Sequence, residues 1–496
     1  MATNGTIIQF FHWYYPNTGI LWKEIGEKAK SLAEMGFTAL WTPPAYKGSA
    51  GVNDVGYSIY DLYDLGEFDQ KESIRTKYGT KNELIHAIRE AHANRLQVYG
   101  DIVFNQKAGG DDIEFVKIVR VKKENANFVL GESDWIEAWT VFNFPGRNNK
   151  YSDFKWNWEH FDGVDYANNY PDEKDPYGNP LYIYKFVDRG KDWEKLVGDE
   201  NGNYDYLMCN DLDMNSAAVR TELSRWGKWF VELTDIDGFR IDAVKHIEYS
   251  FFRNWLEYLR KQLKEYFFAV GEYWNPDHVN DLLKYIEMTK GCMSLFDAPL
   301  HKNFYEASRN YYDMRCILNN TLVQINPCKA VTLVDNHDTQ PCQALESWVD
   351  YWFKPLAYAI ILLREQGYPC VFYPDLYGAG YTDHGFNIDL APVPKLTEMI
   401  RARKLYAYGN QNDYFDHSNM VGWTREGDND HENSGLAVLL TNGSGGSKWM
   451  YMGKNSAGNE YHDYLNNRTE TVKINKDGWG EFWVNEKSVS VWVKQK

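Results

Sequence analysis

Arg240 and Asp242 are two residues apart in the run from Gly238 to His246, a spacing that can support acid chemistry. In a strand, successive side chains point to opposite faces, so these two should project together. An arginine beside a carboxylate lowers the pKa of that carboxylate and keeps it ionised. We therefore predict a nucleophilic Asp242 with a lowered pKa. A buried structural ion pair would leave the same pattern.

Two further carboxylates follow apolar runs that read as strands. Glu272 comes directly after residues 267–271, and Asp338 comes shortly after residues 330–334. The carboxyl ends of the strands of a parallel barrel lie on one face, so both carboxylates should meet Asp242 there. Such a set suits glycosidic bond hydrolysis, with one nucleophile and one general acid and base. A divalent-metal site of the enolase or isomerase type is the alternative, although Arg240 would compete with the cation.

Short apolar runs alternate with amphipathic stretches along the chain. The predicted strands are residues 6–11, 37–42, 97–103, 237–241, 267–271, 293–296, 330–334 and 370–373. The predicted helices include residues 22–35, 80–95, 216–233, 251–265, 277–288 and 352–366. Strand followed by helix, repeated eight times, predicts an α/β fold with a closed (β/α)8 TIM barrel.

Two regions depart from this rhythm. After the third strand, about a hundred residues pass before helical periodicity resumes, far more than an ordinary loop. Their aromatic residues and polar turns predict an inserted irregular β domain. Past residue 405, short alternating segments predict a C-terminal antiparallel β-sandwich. We place the barrel at 1–104 and 211–404, the insertion at 105–210 and the C-terminal domain at 405–496.

Composition restricts the class of ligand. The formal net charge is −17, and the chain has neither a basic run nor a nucleic-acid-binding motif, so we expect no nucleic acid partner. A neutral or cationic ligand is favoured. The 36 tyrosines and 19 tryptophans supply flat rings that can stack on the apolar faces of sugars as well as fill a core.

The location of the protein is predicted from three sequence features. The first residues lack a secretory signal pattern, and no apolar run approaches membrane length, so we expect no membrane association. Six scattered cysteines without CxxC spacing indicate reduced thiols in a cytoplasmic protein. We expect a monomer. The alternative is a secreted protein whose leader has been replaced by Met1.

Several motifs in order resemble the α-amylase family of glycoside hydrolases, closest to its bacterial liquefying and intracellular members. They are Gly238 to His246, Gly271-Glu-Tyr-Trp, Val334-Asp-Asn-His-Asp-Thr, Asp101-Ile-Val-Phe-Asn, Phe11-His-Trp-Tyr, Trp41-Thr-Pro-Pro-Ala-Tyr-Lys-Gly, Asp61-Leu-Tyr-Asp-Leu-Gly-Glu-Phe-Asp-Gln and Trp352-Phe-Lys-Pro-Leu-Ala-Tyr-Ala. The resemblance covers nearly the whole chain. It implies an endo-acting, retaining hydrolase of α-1,4-glucosidic bonds in starch, glycogen or maltodextrin.

The resemblance also implies residue roles. Asp242 is expected to be the nucleophile, Glu272 the acid and base, and Asp338 the transition-state stabiliser. The substrate-binding residues implied are Arg240, His337, Tyr57, Lys245, His246, Trp274 and Gln106. Gln106 stands where the family has histidine, and a neutral amide cannot carry charge, so we expect weaker binding or an altered preference.

Calcium is the cofactor that the resemblance implies, between the barrel and the insertion. Its ligands are expected to be Asn105, Asp205, Asp211 and the backbone carbonyl of His246, because calcium takes hard oxygen ligands. A further metal cluster would use Asp162, Glu194 and Asp213, although Asn215 replaces an expected carboxylate there. Two alternative functions are a transglycosylating α-glucan enzyme and a non-catalytic glycan-binding or partner-binding homologue.

Overall fold

Eight parallel strands close into a barrel in the computed structural model, which describes residues 4–495. The predicted barrel domain starts with residues 1–3 and the predicted C-terminal domain ends with residue 496, and these four residues lie outside the described residues. The strands are β1 (Ile7–Gln9), β2 (Ala39–Thr42), β3 (Gln97–Ile102), β4 (Gly238–Ile241), β5 (Phe268–Gly271), β6 (Ser294–Phe296), β7 (Ala330–Leu333) and β8 (Tyr368–Phe372). Each strand pairs with its neighbours in the chain, and β8 pairs with β1. The predicted barrel and its eight strands are confirmed.

A principal helix follows each strand of the barrel. These helices are α1 (Leu21–Met35), α2 (Lys81–Ala93), α3 (Ala217–Thr234), α4 (Tyr249–Gln262), α5 (Val279–Met288), α6 (Ala298–Arg309), α7 (Lys354–Leu363) and α8 (Leu396–Tyr406). Short helices also span Leu322–Ile325 and Tyr373–Tyr377. The six predicted helices are confirmed, with ends that differ by a few residues. Helix α2 begins at a capping box, in which Thr80 and Glu83 satisfy each other's backbone N–H groups.

The long segment between β3 and α3 folds into a six-stranded antiparallel sheet, which confirms the predicted β insertion. Its strands are Gln106–Lys107, Asp112–Lys122, Asn125–Val141, Phe161–Val164, Ile183–Phe186 and Asn210–Leu212. The two longest strands form one hairpin. The first and last strands of the insertion pair with each other, so both of its ends lie beside the carboxyl end of β3. This arrangement places the insertion over the same barrel face as the predicted carboxylates.

The chain after α8 is all β, as predicted. A six-stranded sheet contains Gln411–Tyr414, Met420–Arg425, Leu436–Thr441, Glu460–Asp463, Thr471–Lys473 and Ser488–Lys494, and a ribbon pairs Gly446–Tyr451 with Trp479–Val484. The Trp423 indole donates to the carbonyl of Leu363 at 3.1 Å, which ties this sheet to the barrel. The exact domain boundaries stay predictions. Over residues 4–495, every helix is too short or too polar to cross a membrane.

Candidate active site

Arg240 lies at the centre of a group of buried carboxylates at the carboxyl ends of β3, β4 and β5. Its guanidinium Nη1 lies 3.0 Å from Asp101 Oδ1 and 2.5 Å from Asp242 Oδ1. Its Nη2 lies 2.9 Å from Glu272 Oε2. The arginine side chain is 1% exposed, so these ion pairs are almost dry. One cation thus orients three carboxylates from three neighbouring strands.

Backbone hydrogen bonds place Asp242 and Glu272 side by side. The N–H of Asp242 donates to Ile102 at 2.9 Å, and the N–H of Glu272 donates to Ile241 at the same distance. Both residues therefore continue the barrel ladder just past the ends of their strands. Ala243 follows with a φ of 49°, a left-handed conformation that few residues with a Cβ adopt. The chain turns sharply there, directly after the carboxylate.

Burial dominates the electrostatics of this group. It raises the pKa of Asp242 well above its ordinary value; Arg240 lowers this pKa, and Glu272 raises it. Burial likewise raises the pKa of Asp338 to about 8, with Glu272 adding to the rise. The sequence-based prediction of a lowered pKa for Asp242 is wrong. One arginine shared among several carboxylates does not offset the cost of holding their charges away from water.

His337 lies beside these carboxylates, and its ring is nearly parallel to the rings of Tyr57 and Trp13. The Tyr57 ring lies 5.1 Å from the His337 ring, at an interplanar angle of 13°, and Trp13 stacks on Tyr57 at 5.7 Å. The Tyr57 hydroxyl donates to Asp101 Oδ2 at 2.8 Å. Burial lowers the pKa of His337 well below its ordinary value, and Arg240 adds to this, so the ring is neutral. Its Nε2 lies 3.3 Å from Asp338 Oδ2.

Lys245, His246 and Trp274 lie together beyond the nucleophile position. The Lys245 ammonium donates to the carbonyl of Trp274 at 3.1 Å and pairs with Glu200 at 2.9 Å. His246 is buried, and its Nδ1 lies 2.5 Å from the carbonyl of Tyr204. Glu200 and Tyr204 belong to the insertion, so this side of the site is built from both the barrel and the inserted sheet.

Gln106 is buried at the start of the insertion. Its amide nitrogen donates to the carbonyl of Tyr57 at 2.9 Å. Its Oε1 has no hydrogen-bond partner among the described residues. The side chain therefore supports the backbone of the Tyr57 segment and retains one free acceptor.

A second acidic cluster lies where the insertion meets the barrel. Asp162, Glu194 and Asp205 are buried and place one carboxylate oxygen each within 4.8 Å of the others. Burial raises the pKa of Asp205 to about 7 and that of Glu194 well above its ordinary value; the mutual repulsion of the carboxylates adds to the rise for Glu194. Buried carboxylates at this spacing are the hard oxygen donors that calcium prefers.

Neighbouring oxygen atoms extend this cluster. Asn105 donates its amide to Asp211 at 3.1 Å, which leaves Asn105 Oδ1 and Asp211 Oδ2 without partners among the described residues. Within residues 4–495, both Asp162 oxygens also lack a hydrogen-bond partner. Buried oxygens with no donor are costly unless a cation binds them, so the donor set fits a hard divalent ion. The structure joins Asp205, an expected calcium ligand, to Asp162 and Glu194, which were expected in the further metal cluster.

Asp213 has a different environment from the rest of the predicted cluster. Its carboxylate pairs with the ammonium of Lys191, which lies 3.8 Å from Asp162. Asp213 therefore already has a cationic partner. The expected role of the His246 carbonyl stays a prediction.

Comparison with known proteins agrees with this geometry. The alpha amylase catalytic-domain model matches residues 17–434, and the alpha-amylase C-terminal model matches residues 436–493. An alpha-amylase from Geobacillus stearothermophilus is 54% identical over 495 residues, which cover 99% of this chain and 87% of the relative. A cytoplasmic alpha-amylase from Escherichia coli strain K12 is 45% identical over 499 residues, 99% of each chain. The chain belongs to the alpha-amylase family.

Membership makes the chain a glycoside hydrolase of α-1,4-glucosidic bonds, as the sequence predicted. A solved alpha-amylase from Geobacillus thermoleovorans, complexed with acarbose, shares the fold. Its TM-score is 0.64 at 18% identity, and the match covers 100% of both chains.

Two contributors to this alpha-amylase-family site were missed by sequence reasoning. Gln9 lies 3.0 Å from His337 Nδ1 through its amide nitrogen, and the Trp13 ring lies parallel to the rings of both Tyr57 and His337. Gln9 is the last residue of β1, and Trp13 follows it by four residues. The search for functional residues at strand ends that selected Asp242 would therefore have selected them too. Glutamine and tryptophan carry no charge, so their residue types did not indicate a catalytic role.

Proposed function

We propose that this protein cleaves internal α-1,4-glucosidic bonds of starch, glycogen or maltodextrin with retention of the anomeric configuration. The observation that carries the proposal is that the Arg240 guanidinium forms an ion pair with Asp242 and another with Glu272, at adjacent strand ends. A retaining enzyme needs two carboxyl groups close enough for one to attack carbon while the other serves the leaving oxygen.

Two carboxyl groups carry out the reaction in two steps. The ionised form of Asp242, which the neighbouring Arg240 favours, attacks the anomeric carbon as the glycosidic bond breaks, and Glu272 gives its proton to the departing oxygen. Glu272 is then a carboxylate and takes a proton from water. That water attacks the anomeric carbon and releases Asp242, so both residues return to their first state.

Asp338 opposes the positive charge that develops on the sugar. Burial raises its pKa to about 8, because the charged form is costly in this site when no cation lies beside it. A sugar ring that becomes cationic relieves that cost, and the interaction strengthens only in the transition state. His337 is neutral and fixed by Gln9, which suits a hydrogen bond to a sugar hydroxyl.

The remaining side chains bind the glucan. The Tyr57 ring, fixed by its hydroxyl on Asp101, is the platform for the sugar beside the cleavage point. Lys245, His246 and Trp274 line the side of the leaving group. Gln106 offers its free oxygen as an acceptor where a charged histidine would also donate.

Calcium is the ion that we propose for the buried acidic cluster. Asp162, Glu194, Asp205, Asp211 and Asn105 would supply its oxygen ligands, with the His246 carbonyl as a further candidate. A calcium ion held there would offset part of the negative charge of these carboxylates and, through the His246 carbonyl, would link the insertion to the segment that follows Asp242. Its contribution is structural, and no step of the reaction passes through it.

We also propose that the protein acts in the cytoplasm as a monomer. The relative from Escherichia coli is named a cytoplasmic enzyme, and its match spans 99% of both chains. All six cysteines are free thiols, which suits a reducing compartment. Size-exclusion chromatography with light scattering would test the oligomeric state.

Substitution of Asp242 by asparagine tests the proposed nucleophile. Release of reducing ends from soluble starch should fall to background, because an amide cannot form the covalent intermediate. The matched control is Asp477→Asn. Asp477 is an exposed residue of the C-terminal region, so this variant should keep full activity. Circular dichroism confirms that both variants fold. Substantial activity in Asp242→Asn would refute the assignment, and sizing of the wild-type products distinguishes a random ladder from a single product.

A further inference from the structure

A hairpin after β8 and the segment after Asp338 meet at the rim of the active-site face. The hairpin pairs Ala379–Asp383 with Phe386–Leu390. The Tyr381 hydroxyl donates to the carbonyl of Pro341 at 2.9 Å, and the Tyr381 ring stacks on Tyr14 at 4.0 Å. These contacts fix the hairpin tip against the segment that contains Cys342.

At this junction, Cys342, Asp383 and His384 bring together a sulfur, a carboxylate oxygen and an imidazole nitrogen. The three atoms lie within 4.8 Å of one another, and His384 Nδ1 is 3.3 Å from Asp383 Oδ2. His384 has a φ of 47° at the hairpin turn, which presents its ring at the tip. The cluster combines residues 342 and 383, so the fold and not local sequence creates it.

This donor set differs from that of the buried acidic cluster. Calcium and magnesium take oxygen ligands, whereas thiolate, imidazole and carboxylate together suit zinc. Three protein ligands would leave the fourth tetrahedral position for water. A further carboxylate, Glu346, accepts the backbone N–H of Cys342 at 2.8 Å and adds negative charge beside the site.

We propose that Cys342, Asp383 and His384 bind one zinc ion at the rim of the cleft. Binding forms a zinc–sulfur bond and releases the thiol proton to solvent. The ion would link the hairpin to the segment four residues beyond Asp338. A hydrogen bond and ring stacking hold the two segments together, and a metal bridge would add a further link that makes the rim more rigid.

The effect on catalysis rests on the proposed function. Gln340 Oε1 accepts the backbone N–H of Trp13 at 3.1 Å, and Trp13 stacks on Tyr57, the proposed sugar platform. The zinc position is therefore continuous with the glucan-binding wall. A rigid rim should slow the entry of a long chain, so zinc should lower the rate on starch reversibly.

Zinc titration of the calcium-saturated full chain, in competition with a chromophoric chelator, tests the site. Saturation with calcium keeps zinc off the buried oxygen cluster. One equivalent should bind to the wild type, and Cys342→Ser or His384→Asn should each weaken binding by at least about tenfold. The matched controls are the exposed residues Cys328→Ser and His417→Asn, which should bind as the wild type does.

Two results would overturn the proposed site. The first is that the wild type binds no zinc at this position. The second is that zinc binding weakens equally in all four variants. Unfolding temperatures in metal-free buffer identify a variant that fails to fold, and the other ligand variant then decides. Starch hydrolysis without zinc tests the proposed function separately. Zinc binding with an unchanged starch rate would refute the effect on catalysis and leave the site intact.

Discussion

Removal of the buried Lys354 ammonium gives a test of how the fold holds the Asp338 turn. Lys354 lies 2.8 Å from Asp335 and 2.6 Å from Asp375, and its side chain is 1% exposed. Asp335 in turn accepts the hydroxyl of Thr339 at 2.9 Å, one residue past Asp338. Lys354→Met keeps the volume of the side chain and removes its charge, which leaves two buried carboxylates without their cation.

The expected loss depends on pH. Breaking a buried ion pair by removing one partner costs about 3–5 kcal/mol. Burial raises the pKa of Asp335 to about 7, with Lys354 lowering it and Asp375 raising it. A raised carboxyl pKa means that the folded state favours the proton, so the benefit of protonation is complete below about pH 4 and disappears as pH rises through 7. Lys354→Met should therefore lose more stability at pH 8, up to about 3–5 kcal/mol, and clearly less at pH 5.

Urea unfolding at pH 5 and pH 8, followed by circular dichroism, measures both losses. The matched control is the double variant Lys354→Met/Asp335→Asn, which removes one of the stranded charges. It should regain part of the stability at pH 8 and little at pH 5. An equal loss at both pH values, or a loss below about 1 kcal/mol at pH 8, would refute the reasoning.

Two further predictions concern the substrate and metal sites. Gln106→His should change kcat/KM on a maltooligosaccharide, because an imidazole can donate and carry charge where Oε1 only accepts; equal values for the two enzymes would contradict this. A calcium chelator should lower the unfolding temperature of the wild type, since ligand binding stabilises the folded state. Asp162→Asn should reduce that chelator effect, and Asp477→Asn, an exposed control, should leave it unchanged.

Much of the barrel followed from local pattern. Apolar runs four to seven residues long, separated by amphipathic stretches, predicted every barrel strand and six of the eight principal helices. Helix α8 was not predicted, and neither was α6. Its start carries a clear signal in Asp297, whose carboxylate accepts the N–H of Leu300, followed by a proline in the first turn. His301 and Ser308 lie on the buried side of this helix, so polar residue types interrupt the apolar stripe on which the prediction relied.

The acid–base residues were readable because of the strict geometry of a parallel barrel. Strand alternation and the shared direction of the strands place Asp242 and Glu272 on one face, whatever the rest of the chain does. The direction of the pKa shift of Asp242 could not be predicted from the sequence. Charge neighbours can be guessed from spacing, whereas burial depends on every element that packs over the site, and burial is the larger effect here.

The sequence by itself determined the fold class, the family and the strand ends that carry the carboxylates, because these depend on short-range periodicity and on motifs in order. Tertiary structure alone decided which distant residues share a site. Asp162 joins Glu194 and Asp205 through the folding of the inserted sheet, and Cys342 reaches His384 through a hairpin that closes on the rim. These contacts depend on the paths by which the long loops return to the barrel, and no local preference of the chain specifies those paths.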